Sequence, residues 1–176
     1  GELLVVKGEV DPIYEIAGIQ KALENGPALL FENIKGYPGV RDIGNIFSRE
    51  ERVAALFDVA DYKKLKFKCV KAMQNPIPPI IIAEAPCQEV VIDGDIDVMA
   101  TLPIIKHTED DAGRIMGGGV IPTTEPWVPR GSDLAFKRMH FRGKDWASLH
   151  VIRSTHLGYA VKEHKDENIP LTVNIG

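Results

Sequence analysis

The first part of the chain combines short apolar runs with a segment of helical spacing. The runs Leu3–Val6 and Ala28–Phe31 are short and apolar, which is typical of strands. Between them, apolar residues recur at helical intervals after Asp11-Pro12, a pair typical of an N-cap followed by the first helical position. Gly26 is a suitable C-terminal stop. The pattern therefore predicts a strand, a helix that begins at Asp11, and a second strand.

Two more helices are predicted before residue 75. Ser48-Arg49-Glu50-Glu51 matches a capping box, in which the Ser48 hydroxyl caps the start of a helix. A further helix is predicted over residues 62–73. Three prolines then fall within residues 75–79, and proline fixes the backbone and removes a hydrogen-bond donor. We therefore predict a domain boundary here, between domains at 1–79 and 80–176.

The second domain has the pattern of a mostly β structure. Residues 89–92 predict a strand that leads into a turn, and residues 114–121 predict a strand that contains Gly117-Gly118-Gly119. These glycines would let a flat ring or a phosphate approach the backbone, and a bulge or bend in the strand explains them equally well. An α/β first half followed by a mostly β second half predicts the α+β class.

Residues 136–151 have the pattern of a β-hairpin that is rich in cations. With a two-residue type II′ loop at 143–144, Phe141 lies opposite Trp146. The same register puts Arg138 on a sheet face with apolar neighbours from both strands. A buried guanidinium needs an anionic partner, either the phosphate or carboxylate of a ligand or a structural Asp or Glu. The alternative is a solvated strand face whose cations point into water.

The composition of the chain mainly excludes classes of function. The formal charge of −4 argues against a nucleic-acid binder, which needs a basic face, but not against a local anion pocket. No apolar run approaches the roughly 20 residues that span a bilayer, and no signal peptide is visible, so we expect a cytoplasmic protein. The chain starts at Gly1 and stops at Gly176 directly after a strand-like run, which we interpret as a fragment of a longer protein.

Three stretches give the chain a family resemblance. GPALLFENIKGYPG at 26–39, LPIIKH at 102–107 followed by DDAGR at 110–114, and the hairpin together resemble the UbiD family of prenylated-flavin-dependent decarboxylases. The resemblance implies that residues 80–176 form the first half of a split β-barrel like that of flavin reductases. It also implies that this barrel binds the flavin, and that the barrel is incomplete in this chain.

The family's site motif falls on the hairpin. DLAFKR at 133–138 takes the place of the family's N-x-S/G-x-x-R, and His156 lies eighteen residues beyond Arg138, as in some members. The resemblance implies that Asp133 and His156 bind the metal, and that Arg138 is the catalytic arginine that orients the substrate carboxylate. It further implies a set of cofactor-binding residues, namely Ala135, Phe136, Lys137, Arg138, His150, Val151, Ile152, Thr155 and His156.

Asp133 stands where the family has asparagine. An aspartate is still a hard oxygen ligand suited to manganese, but it adds negative charge beside the cofactor phosphate. Ala135 likewise lacks the hydroxyl that some members place there. In a regular strand Asp133 and Arg138 point to opposite faces, so both meet one cofactor only if Asp133 lies in the preceding loop or a bulge re-aims it.

The resemblance implies reversible, non-oxidative decarboxylation of an aromatic or α,β-unsaturated carboxylic acid. The cofactors would be prenylated FMN, manganese and potassium, and the partners a small carboxylic acid together with further copies of the chain or partner subunits. The family's third metal ligand and catalytic glutamates are expected beyond residue 176. Two alternatives stay open, a non-catalytic subunit or scaffold of a carboxylase complex and a flavin reductase on a split barrel.

Overall fold

The computed structural model describes residues 2–128 and 132–175. The chain forms two compact units, Gly1–Ile96 and Asp97–Gly176, and each carries one three-stranded sheet beside its helices. The predicted α+β class is confirmed at this level. None of the helices within the described ranges is both long and apolar enough to cross a lipid bilayer.

The sheet of the first unit contains the two predicted strands and one more. Strand β1 (Leu3–Val6) pairs in parallel with β2 (Ala28–Phe31), and β2 pairs antiparallel with β3 (Asp42–Gly44). Helix α1 (Glu15–Ala22) makes the crossover between the parallel strands. Ile16 of this helix and Leu29 and Phe31 of β2 are fully buried, so this contact forms the core of the unit.

The predicted start of α1 at Asp11 is wrong. The helix begins at Glu15, because the Asp11 carboxylate accepts a hydrogen bond from the backbone N–H of Ile13 at 2.8 Å. Its second oxygen pairs with the ammonium of Lys35 at 2.8 Å. Asp11 therefore closes a local turn and ties it to a distant lysine instead of capping the helix.

The capping box is wrong as well. Helix α2 (Glu50–Leu56) has Arg49 as its N-cap, and the Ser48 hydroxyl instead donates to the carbonyl of Asn45 at 2.9 Å. The third predicted helix is confirmed, because a 3-10 turn at Tyr62–Lys64 leads into α3 (Leu65–Gln74).

The strand predicted over residues 89–92 is also wrong. These residues pair with no strand among the described residues, and Val90 and Val91 are 79% and 77% exposed. Upstream, Ile80 and Ile81 are 88% and 96% exposed. The apolar pattern of this stretch is therefore not used in the core of the first unit.

Arg52 of α2 joins several segments of the first unit. Its guanidinium donates to the carbonyls of Asn45 at 2.7 Å and Gly26 at 2.9 Å, and it pairs with Glu2 at 3.0 Å. The hydrogen bond from Arg52 lowers the pKa of Glu2. With its side chain only 11% exposed, Arg52 satisfies backbone carbonyls that water reaches poorly.

We expect Arg52→Met to destabilise the protein by about 3 kcal/mol, because it leaves partly buried carbonyls without a donor. Arg49→Met is the matched control. The Arg49 contacts with Glu2 and Glu51 are longer, at 3.5 and 3.6 Å, and the control should cost less than about 0.5 kcal/mol. Urea denaturation measures both changes. Equal losses for the two variants would contradict the role given to Arg52.

The sheet of the second unit is antiparallel. Its strands are β4 (Ile115–Thr123), β5 (Asp133–Phe141) and β6 (Ala147–Leu149), in that order across the sheet. Two helices accompany it, α4 (Val98–Thr101) and α5 (His156–Glu163). The ladder of β4 with β5 is the longest in the described structure and carries most of the predicted site.

The hairpin exists, but its predicted register is wrong by one residue. Phe141 pairs with Ala147 and Met139 with Leu149, so a five-residue loop replaces the predicted two-residue turn. The indole of Trp146 lies directly over Gly143, where a side chain at that position would collide with it. Trp146 is therefore a loop residue and forms no cross-strand pair with Phe141.

The shifted register also changes which cation is buried. Lys137 and Met139 of β5 are 7% and 8% exposed, whereas Phe136 is 79% exposed and Arg138 is also exposed. The prediction that Arg138 shares an apolar face is wrong, because slipping a strand by one residue exchanges its two faces. The buried cation of this strand is Lys137.

The three glycines of β4 coincide with a bulge. The pairing with β5 shifts between Met116 and Gly119, so the structure bears out the reading of the glycines as a bulge. A Cβ added at Gly117 or Gly118 would meet nothing within 4 Å, whereas one at Gly119 would press on Met139. Only Gly119 is needed for close packing.

Candidate functional site

Asp133 and His156, the two predicted metal ligands, lie in contact. The Nδ1 atom of His156 is 2.9 Å from Oδ2 of Asp133, and the two side chains are 38% and 40% exposed. Asp133 is the first residue of β5, where it pairs with Thr123, and His156 is the first residue of α5. The start of a strand and the start of a helix thus bring together residues far apart in sequence.

The start of α5 is fixed by local hydrogen bonds. The Thr155 hydroxyl accepts a hydrogen bond from the N–H of Gly158 at 3.2 Å and donates to the carbonyl of Ile152 at 2.8 Å. Gly158 is buried, and a Cβ there would collide with the backbone of Ile152 and Arg153. Thr155, predicted to bind the cofactor, is here the N-cap that sets the position of His156.

We expect Gly158→Ala to destabilise the protein by about 2 kcal/mol, because the clash is with backbone and α5 must move to relieve it. Gly118→Ala is the control, since its Cβ would point into open space. Thermal denaturation compares the two. A Gly158→Ala variant as stable as the control would show that α5 has room to shift.

The donor set of the Asp133–His156 pair suits part of a manganese site. A carboxylate oxygen and an imidazole nitrogen are both ligands of this ion. Nδ1 of His156 and Oδ2 of Asp133 are 2.9 Å apart, so both atoms could contact one ion at the same time. Within residues 2–128 and 132–175 no cluster of three candidate ligands exists, so a metal site built on this pair would need ligands from outside these ranges.

A cavity of about 190 Å³ brings together five of the predicted cofactor-binding residues. Gly117 of β4 and Phe136, Lys137 and Arg138 of β5 line it, and His150 and Ile152 complete the wall. Three of these side chains carry or can carry positive charge, and no acid lines the cavity. Such a lining favours a flat apolar group that bears an anionic substituent.

Lys137 is the least exposed cation in this lining. It forms no hydrogen bond or ion pair with the residues that the structure describes, although its side chain is almost fully buried. The Lys137 ammonium is not among the fully buried polar atoms that lack a partner, so it is available to pair with an anion in the cavity. Arg138 lines the same cavity from the exposed side of the strand.

The remaining predicted residues lie outside the cavity lining. Ala135 and Val151 are half-buried neighbours of lining residues. Asp133 and Arg138 are separated by five residues of extended chain, about 16 Å. The bulge lies in β4 and not at Asp133, which is in regular pairing, so the two predicted ends of the site stay on opposite strand faces.

Sequence reasoning missed Trp127. The centroid of its ring is 6.0 Å from that of His156 and 6.1 Å from that of Tyr159, with interplanar angles of 56° and 83°. Glu125, two residues earlier, pairs with Nε2 of His164 at 3.2 Å. No local pattern signals these contacts, because they join an irregular segment to a helix well beyond it.

His164 gives this segment a pH dependence. Its pKa is raised by the hydrogen bond with Glu167 and then by the charge of Glu125. The pKa of His164 in the folded protein lies above its ordinary value of 6.5. The contacts of His164 with Glu167 and Glu125 therefore stabilise the fold fully below about pH 6.5. The stabilisation is lost as the pH rises through the raised pKa.

We expect Glu167→Gln to lower the pKa of His164 more than Glu125→Gln does, because the hydrogen bond with Glu167 is the largest cause of the shift. An NMR titration of the His164 ring protons measures both changes. The reverse order of effects would contradict this assignment.

Both parts of the chain match models of one protein family. Residues 1–68 match the model of the 3-octaprenyl-4-hydroxybenzoate carboxy-lyase N-terminal domain, and residues 80–176 match the model of its Rift-related domain. The chain belongs to the UbiD family. This confirms the resemblance found in the three sequence stretches.

Individual UbiD relatives agree with the family models. The chain is 30% identical to the gallate decarboxylase of Lactiplantibacillus plantarum, over 96% of this chain and 38% of that protein. Its fold is similar to that of the apo Klebsiella pneumoniae 3,4-dihydroxybenzoic acid decarboxylase, with 27% identity and a TM-score of 0.91, over 99% of this chain and 39% of that one.

A third UbiD-class relative was solved with a flavin. It is an evolved dimeric form of the enzyme HmfF from Pelotomaculum thermopropionicum in complex with prFMN. Identity is 28% and the TM-score is 0.86, over 98% of this chain and 40% of that one. The chain therefore spans about two fifths of the length of the UbiD proteins that it matches.

Proposed function

We propose that this chain is the N-terminal part of a prenylated-FMN-dependent carboxy-lyase that decarboxylates an aromatic or α,β-unsaturated carboxylic acid reversibly. The observation that carries the proposal is the contact between Asp133 and His156 at 2.9 Å, at the two positions that match the family's metal ligands. The cation-lined cavity farther along β5 supports it.

Asp133 and His156 would hold manganese, and potassium would accompany it. Prenylated FMN, when bound, supplies the electron-accepting centre that carbon–carbon bond cleavage to carbon dioxide requires. Asp133 stands where the family has asparagine, so it places one more negative charge at the ion. We expect this charge to tighten divalent-metal binding and to weaken the hold on the adjacent phosphate.

The cavity residues would bind and orient. Phe136 and Ile152 offer apolar surface to a ring, and Ala135 and Val151 support them from the same two segments. Arg138, Lys137 and His150 would compensate negative charge on the bound groups. Arg138 is the catalytic residue of the proposal, because its guanidinium fork matches a carboxylate in two hydrogen bonds.

The proposal includes an arrangement for the whole protein. Residues 80–176 would belong to a flavin-binding split β-barrel, in keeping with the start of the second family match at residue 80. Further ligands and acid–base glutamates would come from additional sequence. We further propose that the protein is cytoplasmic and acts as a homo-oligomer or with partner subunits. It would act on a small carboxylic acid and not on nucleic acid.

Metal and flavin content test the proposal in the full-length protein, co-produced with a flavin prenyltransferase. We expect Asp133→Ala and His156→Ala each to lower bound manganese at least tenfold and to reduce flavin retention. The matched controls are Asp145→Ala and His107→Ala, which leave the pair intact. Elemental analysis and the flavin absorbance spectrum report the two quantities. Unchanged metal in both site variants would contradict the assignment.

Arg138→Ala should abolish decarboxylation while the protein still folds, because the substrate carboxylate loses its bidentate partner. Arg142→Ala, an exposed arginine in the adjacent loop, is the matched control. Release of carbon dioxide from a panel of hydroxybenzoic acids measures the loss. Unchanged turnover of Arg138→Ala would remove Arg138 from the site.

A non-catalytic subunit is the second candidate. The specific observation that favours it is that Asp133 stands where the family has asparagine, and that Ala135 lacks the hydroxyl that some members place there. A full-length protein that carries no flavin after co-production with the prenyltransferase would support this candidate over the carboxy-lyase.

A further inference from the structure

We infer that Trp127 is a positioning residue for the metal site: its indole packs against His156 and holds the imidazole in the orientation that a metal ion requires. This inference rests on the proposed function, because it assigns His156 as a ligand. The contact itself, with ring centroids 6.0 Å apart and an interplanar angle of 56°, is a feature of the structure.

Among the described residues, the imidazole of His156 makes one hydrogen bond. Its Nδ1 meets Oδ2 of Asp133 at 2.9 Å, and a single hydrogen bond leaves the tilt of the ring free to change. A side chain packed against the imidazole restricts this rotation of the ring. The indole of Trp127 supplies this packing, since the ring of His156 is packed against a large flat side chain on one side.

Trp127 is itself held in place by the same helix. Tyr159 lies three residues after His156, so the two side chains share one face of α5 and the indole spans both. The Trp127–Tyr159 geometry is edge-to-face, with centroids 6.1 Å apart and an angle of 83°, an arrangement that aromatic pairs favour.

The segment that carries Trp127 is anchored on both sides of it. Glu125 pairs with His164 just after the end of α5, and Val128 is only 4% exposed. The segment therefore follows the face of α5 from the last turn back to His156. An indole held this way limits the directions in which the imidazole of His156 can turn.

The test is manganese affinity in the full-length protein without flavin, measured by the electron paramagnetic resonance signal of free Mn²⁺. We expect Trp127→Leu to weaken binding about tenfold, the size of effect typical of residues that orient metal ligands. Trp127→Phe keeps an aromatic face and should recover part of the affinity. The matched control is Trp146→Leu, which changes the other tryptophan of the chain and should leave the affinity unchanged.

A second readout does not need the leucine variant to fold. In a full-length background where Trp146 and every tryptophan beyond residue 176 are replaced by phenylalanine, all tryptophan fluorescence comes from Trp127. Mn²⁺ should quench this emission with the same midpoint as in the resonance titration, and His156→Ala should abolish the quenching. A Trp127 fluorescence intensity that stays unchanged at saturating Mn²⁺ would overturn the inference.

The outcomes separate the inference from the function on which it rests. If His156→Ala loses Mn²⁺ while Trp127→Leu and Trp127→Phe bind it like the wild type, the metal site stands and Trp127 has no part in it. If His156→Ala binds Mn²⁺ as tightly as the wild type, the proposed metal site is wrong and the inference falls with it.

Discussion

The antiparallel ladder between β4 and β5 is the constraint on which the candidate site depends. Its register decides that Lys137 and Met139 turn inward and that Phe136 and Arg138 turn outward. The same strand begins at Asp133, beside the start of α5, so one backbone segment connects the Asp133–His156 pair to the cation-lined cavity. The bulge at the β4 glycines lets the ladder bend without breaking, and it leaves Gly117 open to that cavity.

The sequence predicted the presence of helices and strands better than the residues at which the helices begin. Both strands of the parallel pair and the third helix are where the apolar pattern put them. Of these three elements only β2 is buried, so the pattern located β1 and α3 although most of their side chains are exposed. The predicted N-termini of two helices, at Asp11 and Ser48, were wrong for the same reason. Each side chain found a partner that the local pattern does not contain, Lys35 for Asp11 and the Asn45 carbonyl for Ser48. A capping motif states what a residue can do, and competing hydrogen-bond partners decide which role it takes.

The candidate site was also predicted only in part. The matching motif led to Asp133 and His156, and the structure brings them into contact. Periodicity alone selected the wrong buried cation, since a loop closed by Trp146 over Gly143 moved the register by one residue. Trp127 had no signal at all, because its contacts with α5 depend on how an irregular segment crosses a helix. Such contacts follow from the folded path of the chain and not from spacing.

The exposed isoleucines of the first unit have a consequence for how this polypeptide avoids self-association. Ile80 and Ile81 stand almost wholly in water, in a run of uncharged β-branched residues that would readily add to a foreign strand. Pro76, Pro78 and Pro79 precede this run and Pro86 follows it, and none of them can donate the backbone hydrogen bonds that a growing cross-β stack needs. The prolines thus act as gatekeepers against fibril growth.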